Sequence, residues 1–260
     1  MSASVSVVIL SHRPRLLPEA VRSVMRQTVP CELIVKHRRE GYPEKIHEAV
    51  RAATGDFLIL LCDDDLLAPE YVERCLRFAN DGDMVFTDRR VFWNRWEWRQ
   101  PSSWWRRAPR LGFRHRMFGR VVAERIGQNG GLMEIPPQSF AFGSPLPMTC
   151  TIRRELWDRL GGYDNVHHAD TEFWYRAIRE GARIVYIPQP LFWYRFHGTN
   201  ISREHPSNGR AALDFHRKWF QDFGFAFEPH PASDNLVNCT IIPEPERAEY
   251  ARRHDLKVVA

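Results

Sequence analysis

The sequence predicts an α/β domain with a mostly parallel sheet flanked by helices, and two observations support this prediction. Short apolar runs occur at residues 4–10, 32–35 and 57–61, as expected for strands that are buried on both faces. Helical segments separate these runs. An alternation of strands and helices implies right-handed crossovers, which place successive strands parallel in one sheet.

The individual elements follow from local patterns along the chain. Residues 16–27 form a helix whose apolar side chains repeat on one face, and residues 44–53 form a second helix that stops before Gly55. A third helix begins at Pro69. The other predicted elements are strands over 84–87, 149–152 and 183–187, an extended segment over 191–196, and helices over 154–160, 171–180 and 208–222. Gly161 and Gly162 end the helix over 154–160.

Composition places the chain among ordinary globular enzymes. Of its 260 residues, 43% are apolar and 27% are charged. No window approaches the roughly 18 uncharged apolar residues of a membrane span, and the N-terminus lacks the features of a secretory signal. The five cysteines include no C-x-x-C pair, which favours a reduced, cytoplasmic compartment and no zinc knuckle.

An acidic triplet, residues 63–65, follows the predicted strand 57–61 directly. Carboxylates at the carboxyl end of a parallel strand lie where such sheets bind ligands. Three adjacent aspartates repel one another unless a cation or solvent intervenes, and a hard divalent ion that bridges to a diphosphate is the natural partner. The alternative is a solvated acidic turn in which Asp65 caps the following helix.

Four longer blocks surround the predicted strand ends. They are VVILSHRPRLLPEAVRSVMRQT, AATGDFLILLCDDDLLAPEYVE, GGYDNVHHADTEFWYRA and YRFHGTNIS, in this order between residues 5 and 202. Together they resemble the family 2 glycosyltransferases, inverting enzymes with the GT-A fold and its Rossmann-like sheet. The resemblance implies a transferase that moves a sugar from a nucleotide-sugar donor, most simply a UDP-sugar, to an acceptor hydroxyl.

The resemblance also implies a metal site for Mn²⁺ or Mg²⁺. In the family an Asp-x-Asp motif ends the strand, and its second aspartate, which holds the metal, matches Asp64. Cys62 stands at the first aspartate position, so Asp63 takes over the contact to ribose or to a metal-bound water. Asp65 is a supporting metal ligand, and His197 matches a histidine that completes the metal shell in some relatives, although its alternative role is structural.

Acceptor-side chemistry is assigned to the GGYDNVHHADTEFWYRA block in the same way. An inverting transfer needs a carboxylate that takes the proton from the attacking hydroxyl. Asp170 matches the family's aspartate at this position, and Glu172 is the reserve candidate. The alternative for Asp170 is N-capping of the helix that follows, and the two roles are compatible.

Donor contacts are assigned to the loop after the first strand and to the second helix. Ser11, His12 and Arg13 correspond to the loop that cradles the base and ribose, and Lys45 reaches toward the diphosphate unless it is merely an exposed cation. Relatives carry an aspartate for uracil after the second strand. This chain has Val35, Lys36 and His37 there, which leaves the nucleotide base open.

Residues 89–120 are strongly basic and rich in tryptophan. They hold ten arginines, one acid and five of the nine tryptophans, for a net charge of +9 against +5 for the whole chain. Arginine suits phosphate, and tryptophan stacks on sugars or bases. The segment therefore predicts an acceptor surface for a glycan or lipid-linked acceptor at a membrane face, a phosphorylated acceptor, or DNA with a hydroxylated, flipped base. The alternative is that the tryptophans pack on the core and the arginines pair with acids.

The predicted organisation is a transferase domain over residues 1–204, followed by a C-terminal helix and tail over 205–260. The domain comprises a nucleotide-sugar-binding half (1–88), the basic insert (89–138) and an acceptor-side half (139–204). The competing function is a non-catalytic protein that binds nucleic acid or membranes on a degenerate GT-A scaffold, which Cys62 favours. A nucleotidyltransferase is disfavoured because no glycine-rich phosphate loop follows the first strand.

Overall fold

The computed structural model describes residues 3–37, 43–93, 113–115, 129–135, 146–164, 169–197, 226–228 and 240–242. The chain divides into two compact units. The first contains Met1–Glu134 and Leu146–Gly198, and the second contains Ile135–Pro145 and Thr199–Ala260. No helix in the described part of the chain is long and apolar enough to cross a membrane.

The first half of the sheet is parallel, as predicted. It consists of β1 (Val5–Ser11), β2 (Glu32–His37) and β3 (Phe57–Cys62), connected through α1 (Leu17–Met25) and α2 (Glu44–Ala52). β1 lies between β2 and β3 and pairs parallel with both. Its side chains are buried on both faces from Val5 to Ile9, because helices cover a parallel sheet on each side.

The remaining elements complete a mixed sheet. They are β4 (Leu66–Leu67), α3 (Tyr71–Leu76), β5 (Met84–Trp93), β6 (Phe113–His115), β7 (Gly131–Leu132), β8 (Thr151–Arg153), α4 (Arg154–Leu160), α5 (Ala169–Arg179) and β9 (Ile184–Phe196). The strand order is β2-β1-β3-β8-β5-β9-β4, with β6 on β5 and β7 on β9. The short β8 runs antiparallel between β3 and β5, while the long β5 and β9 pair parallel. The predicted mostly parallel α/β fold is confirmed.

Two strands are longer than the sequence pattern indicates. β5 continues to Trp93 although periodicity is lost from Arg89, because β9 pairs with it along its whole length. β9 is continuous through Pro188 and Pro190. The register passes from Thr87↔Ile187 to Arg89↔Phe192, so both prolines lie in a bulge, one of the places in a sheet where proline is tolerated. The bulge lets β9 continue toward the end of β3.

Aromatic side chains form the core between α4 and α5. Trp157, Tyr163, Phe173 and Trp174 contact one another with ring centroids 5.0–6.2 Å apart, and all four are buried. Two glycines end α4, both with positive φ, as predicted. The turn that they form leads into this aromatic cluster.

The two glycines that end α4 are expected to differ in their tolerance of alanine. Both need left-handed backbone, which costs a non-glycine residue about 1–2 kcal/mol. A Cβ at Gly161 meets nothing within 4 Å, whereas one at Gly162 would lie 2.5 Å from His47 Cε1 and 2.7 Å from Trp157 Cζ2. Gly162→Ala should therefore lower the free energy of unfolding by about 1–3 kcal/mol more than Gly161→Ala, as measured by urea denaturation. Equal losses would contradict this packing.

Described residues of the second unit form one antiparallel pair, β10 (Ala226–Glu228) with β11 (Thr240–Ile242). The predicted helix over 208–222 lies outside the described residues. So does most of the basic insert, of which residues 89–93, 113–115 and 129–135 are described.

Candidate active site

The acidic turn, residues 63–65, leaves the carboxyl end of β3 and leads into β4. Its side chains are buried rather than solvated: Asp63, Asp64 and Asp65 are 0%, 6% and 4% exposed. Asp65 does not cap a helix, since α3 begins at Tyr71 and not at Pro69. The interpretation as a solvated, helix-capping turn is therefore wrong. Three buried carboxylates need compensating groups nearby.

Asp63 anchors the loop that follows β1. Its Oδ2 accepts the backbone N–H of His12 at 2.7 Å and that of Arg13. Its Oδ1 is buried and accepts no hydrogen bond from the described residues, lying 3.5 Å from Arg13 Nη1 and 3.6 Å from His12 Nδ1. The hydroxyl of Ser11, at the end of β1, is also buried without a hydrogen-bond partner among the described residues. The loop predicted to cradle the nucleotide is thus brought against the acidic turn.

Asp64 lies between the side chains of Arg13 and His197, which come from opposite ends of the domain sequence. Its Oδ2 is 2.9 Å from His197 Nε2 and 3.2 Å from Arg13 Nη1. Burial raises the pKa of Asp64, but the hydrogen bond with His197 and the charge of Arg13 outweigh burial, so the pKa falls below its ordinary value. Asp64 is therefore ionised at neutral pH.

Asp65 is held by β9, and its chemistry differs from that of Asp64. Its Oδ1 accepts the backbone N–H of Arg195 at 2.8 Å. Burial and the neighbouring charge of Asp64 raise the pKa of Asp65 well above its ordinary value. Two adjacent carboxylates thus share one site, and their pKa values are driven apart.

Arg195 holds the acidic turn through hydrogen bonds to Asp64 and Asp65. The sequence patterns did not single out this residue. Its Nε donates to the Asp64 carbonyl oxygen at 2.7 Å, its guanidinium pairs with Glu19 of α1 at 2.9 Å, and it stacks 4.6 Å over the Phe92 ring. The only signal in the sequence was its place in the YRFHGTNIS block, two residues before His197.

The acidic turn fits a hard divalent cation. Oxygen atoms of Asp64 and Asp65 and the sulfur of Cys62 lie within 4.8 Å of one another. Burial and the neighbouring aspartates raise the pKa of the Cys62 thiol well above its ordinary value, so at neutral pH it is a protonated neighbour rather than a thiolate ligand. The remaining carboxylate oxygens are the ligand type that Mg²⁺ and Mn²⁺ prefer.

Asp65→Asn is expected to stabilise the metal-free protein at neutral pH. A carboxyl whose pKa rises on folding contributes most to stability below its ordinary pKa of 3.8, and this contribution is lost as the pH rises through the raised value. Asparagine keeps the acceptor for Arg195 and cannot ionise. The free energy of unfolding in EDTA should rise by about 1 kcal/mol or more at pH 7 and change little near pH 4. The exposed Asp81→Asn is the control, and a loss of stability at pH 7 would contradict the prediction.

Asp170 lies in the first turn of α5. The charge of Asp170 contributes to the raised pKa of Cys150, after burial and Cys75. Cys150 precedes β8, whose Thr151 pairs with Ile59, and Cys62 Sγ contacts Met148 Sδ at 3.5 Å. The segment 148–150 therefore runs beside the end of β3. Asp170 thus lies near enough to this segment for its charge to act on Cys150.

Glu172 is engaged in an ion pair that joins α5 to α4. Its carboxylate binds Arg176 through Nε and Nη2 at 2.6 and 2.7 Å. Arg176 also donates to the carbonyl oxygens of Leu160 and Gly162 at the end of α4. This bidentate pair positions α5.

Lys45 lies in the first turn of α2. Its Nζ is 2.8 Å from Glu48 Oε1, and both side chains are about two-fifths exposed, so its charge is paired on the helix surface. The nearby His47 contacts the Tyr163 carbonyl oxygen at 2.8 Å through Nε2. The structure thus assigns His47 to the turn that carries the aromatic cluster.

Comparisons with solved structures show the fold. The S. aureus TarS fragment 1–349 in complex with UDP-GlcNAc matches at a TM-score of 0.58 and 14% identity, over 84% of this chain and 67% of that one. A second structure of S. aureus TarS 1–349 matches at a TM-score of 0.56 and 13% identity, over 84% of this chain and 66% of that one. GalNAc-T7 with UDP, GalNAc and Mn²⁺ matches at 0.51 and 15%, over 75% of this chain and 44% of that one. The chain thus spans about two thirds of the TarS fragment. These neighbours are GT-A glycosyltransferases, and the predicted GT-A fold is confirmed.

Sequence comparisons establish the family. No curated protein matches the chain. The model of the family described as "Glycosyltransferase like family 2" matches residues 2–220, which include the acidic turn, Asp170 and His197. Because this match covers most of the chain and the fold agrees with it, the protein belongs to the glycosyltransferase-like family 2.

Proposed function

We propose that the protein is a metal-dependent, inverting glycosyltransferase that uses a nucleotide sugar, most simply a UDP-sugar. The observation that carries the proposal is Asp64, an ionised, buried carboxylate at the carboxyl end of β3 between Arg13 and His197. Family membership supports the nucleotide-sugar donor. Two neighbours of the same fold were solved with UDP-GlcNAc, or with UDP and Mn²⁺, which supports the choice of donor and metal.

The donor half of the site is assigned as follows. Asp64 and Asp65 hold Mn²⁺ or Mg²⁺, with His197 at its edge; when bound, the cation neutralises the charge that develops on the leaving diphosphate. Ser11, His12 and Arg13 lie against the base, ribose and diphosphate, and Asp63 fixes that loop through its backbone hydrogen bonds. Lys45 reaches the diphosphate when its surface ion pair with Glu48 opens.

The acceptor half centres on Asp170. In the proposed reaction the acceptor oxygen attacks the anomeric carbon, the bond from that carbon to the diphosphate oxygen breaks, and the nucleoside diphosphate leaves from the opposite face. The configuration at the anomeric carbon is thereby inverted. The hydroxyl proton passes to Asp170 as the new bond forms. Glu172 positions α5 through Arg176 and remains the reserve base.

The acceptor is proposed from the basic, tryptophan-rich residues 89–120. At the described start of this segment, Arg90 is exposed and lies 5.5 Å from the Trp193 ring, while Arg89 lies 5.5 Å from the Tyr194 ring. Paired guanidinium and aromatic groups suit a phosphorylated or lipid-linked glycan, or DNA. Salt-sensitive retention on DNA, compared with retention on anionic vesicles, separates these acceptors. The cytoplasmic location remains a prediction from the sequence.

The decisive experiment is a screen of nucleotide sugars for donor binding and slow hydrolysis. Thermal shifts with UDP, GDP, CDP and TDP, each with Mn²⁺, Mg²⁺ or EDTA, should show one nucleotide that stabilises the protein only with metal. The matching sugar donors are then tested for hydrolysis by release of the nucleoside diphosphate. If no nucleotide produces a metal-dependent thermal shift, the proposal is contradicted and the non-catalytic alternative is favoured.

A further inference from the structure

We propose that Arg13 is an exchangeable counter-cation of the acidic turn: it occupies Asp63 and Asp64 when no donor is bound, and moves to the donor diphosphate when one binds. Binding of the divalent ion is thereby coupled to binding of the nucleotide. The inference rests on the proposed function, and it assigns to one side chain the coupling between metal binding and donor binding.

The first observation is that Arg13 already lies where a cation would bind. Its Nη1 is 3.2 Å from Asp64 Oδ2 and 3.5 Å from Asp63 Oδ1, and the same Asp64 oxygen contacts His197. A divalent ion that uses this oxygen must displace or repel the guanidinium. Like charges at such separations repel each other at the edge of a protein, even after screening by water.

The second observation is the contrast between the two arginines that serve the acidic turn. Arg195 is 2% exposed, donates at 2.7 and 2.8 Å to the backbone of Asp64 and the side chain of Asp65, pairs with Glu19, and stacks on Phe92. It is built into the fold. The Arg13 guanidinium makes its contacts to the two carboxylates at distances longer than a charge-assisted hydrogen bond, and its side chain is 14% exposed.

The third observation is how the main chain of Arg13 is held. Its backbone N–H and that of His12 donate to Asp63 Oδ2, which fixes the loop while leaving the side chain to change partners. A guanidinium at this position binds a diphosphate with planar, bidentate geometry that carboxylates and phosphates share. Each phosphate contact that Arg13 gains releases an Asp64 oxygen to the divalent ion, so donor and metal reinforce each other.

The test measures metal and nucleotide binding separately and requires no turnover. Free Mn²⁺ is followed by its electron paramagnetic resonance signal during titration of the wild type, Arg13→Gln, Arg13→Lys and the exposed control Arg15→Gln, with and without UDP or the nucleotide identified by the screen. UDP affinity in the presence of Mn²⁺ is measured by calorimetry. The thermal unfolding midpoint of each variant reports folding.

Opposite changes in the two affinities are expected. Arg13→Gln should bind Mn²⁺ alone at least about tenfold more tightly than the wild type, because a competing charge is gone, and bind the nucleotide about tenfold more weakly. The increase in Mn²⁺ affinity that the nucleotide causes should therefore be smaller in Arg13→Gln than in the wild type. Arg13→Lys keeps the charge and should bind Mn²⁺ alone like the wild type, but the nucleotide more weakly, since an ammonium lacks the bidentate fork. Arg15→Gln should change neither affinity.

The outcomes distinguish this inference from the proposed function. Metal-dependent nucleotide binding by the wild type, with no gain in Mn²⁺ affinity in a folded Arg13→Gln variant, would overturn the role of Arg13 and leave the function standing. If Arg13→Gln does not fold, tight Mn²⁺ binding by Arg13→Lys without nucleotide overturns it as well. Absence of any metal-dependent nucleotide binding by the wild type removes the proposed function itself.

Discussion

Replacing Asp64 with asparagine should abolish metal-dependent nucleotide binding and lower kcat/KM by a factor on the order of 10³. Asp64 is the ionised member of the acidic turn, since its pKa lies below the ordinary value, whereas that of Asp65 lies well above. Asparagine preserves the size and one acceptor oxygen of the side chain. The loss therefore reports charge and metal affinity rather than shape.

Two measurements make the Asp64 prediction specific. Thermal shifts with nucleotide and Mn²⁺ should disappear in Asp64→Asn and persist in the exposed control Asp81→Asn. Stability without metal should fall modestly, because the buried His197 loses its anionic partner at 2.9 Å. A variant that keeps the metal-dependent shift and the activity of the wild type would remove Asp64 from the metal site.

Asp170→Asn should leave donor binding intact and reduce transfer by about 10²–10⁴-fold, the usual contribution of a positioned general base. Asparagine at the start of α5 still accepts hydrogen bonds, so any capping role survives the change. The expected signature is a wild-type thermal shift with nucleotide and Mn²⁺ together with a collapse of kcat. A wild-type kcat in this variant would exclude Asp170 as the base.

Glu172→Gln is the matched control for Asp170, because Glu172 is a nearby carboxylate that is engaged in an ion pair. Glu172 binds Arg176 in a bidentate pair that also engages two carbonyl oxygens at the end of α4. Its neutralisation should lower the free energy of unfolding by about 1–3 kcal/mol while leaving kcat within a few fold. A large loss of kcat with unchanged stability would instead return Glu172 to the role of base.

The parallel half of the fold was predictable because its signals are local. Residues 57–61 form a continuous apolar run, and a strand buried on both faces needs nothing else to be recognised; the structure has β3 at Phe57–Cys62. The same holds for α1 and for the glycines that end α4. The position of residues 63–65 at the end of β3 predicted a ligand edge, and four ordered blocks indicated the family. These features depend on the spacing of neighbouring residues.

Tertiary structure alone decided how the acidic turn is neutralised. Arg195 on β9 and His197 just after it contact Asp65 and Asp64 across 130 and 133 residues of the chain, and the hydrogen bond from Arg13 to Asp63 spans 50 residues. No local pattern encodes such pairs, because they depend on a bulge that carries β9 past two prolines to the end of β3. Spacing along the chain thus determined the elements, the family and the acidic turn. Burial, with contacts between distant strands, determined which aspartate is ionised and which arginine is built into the fold.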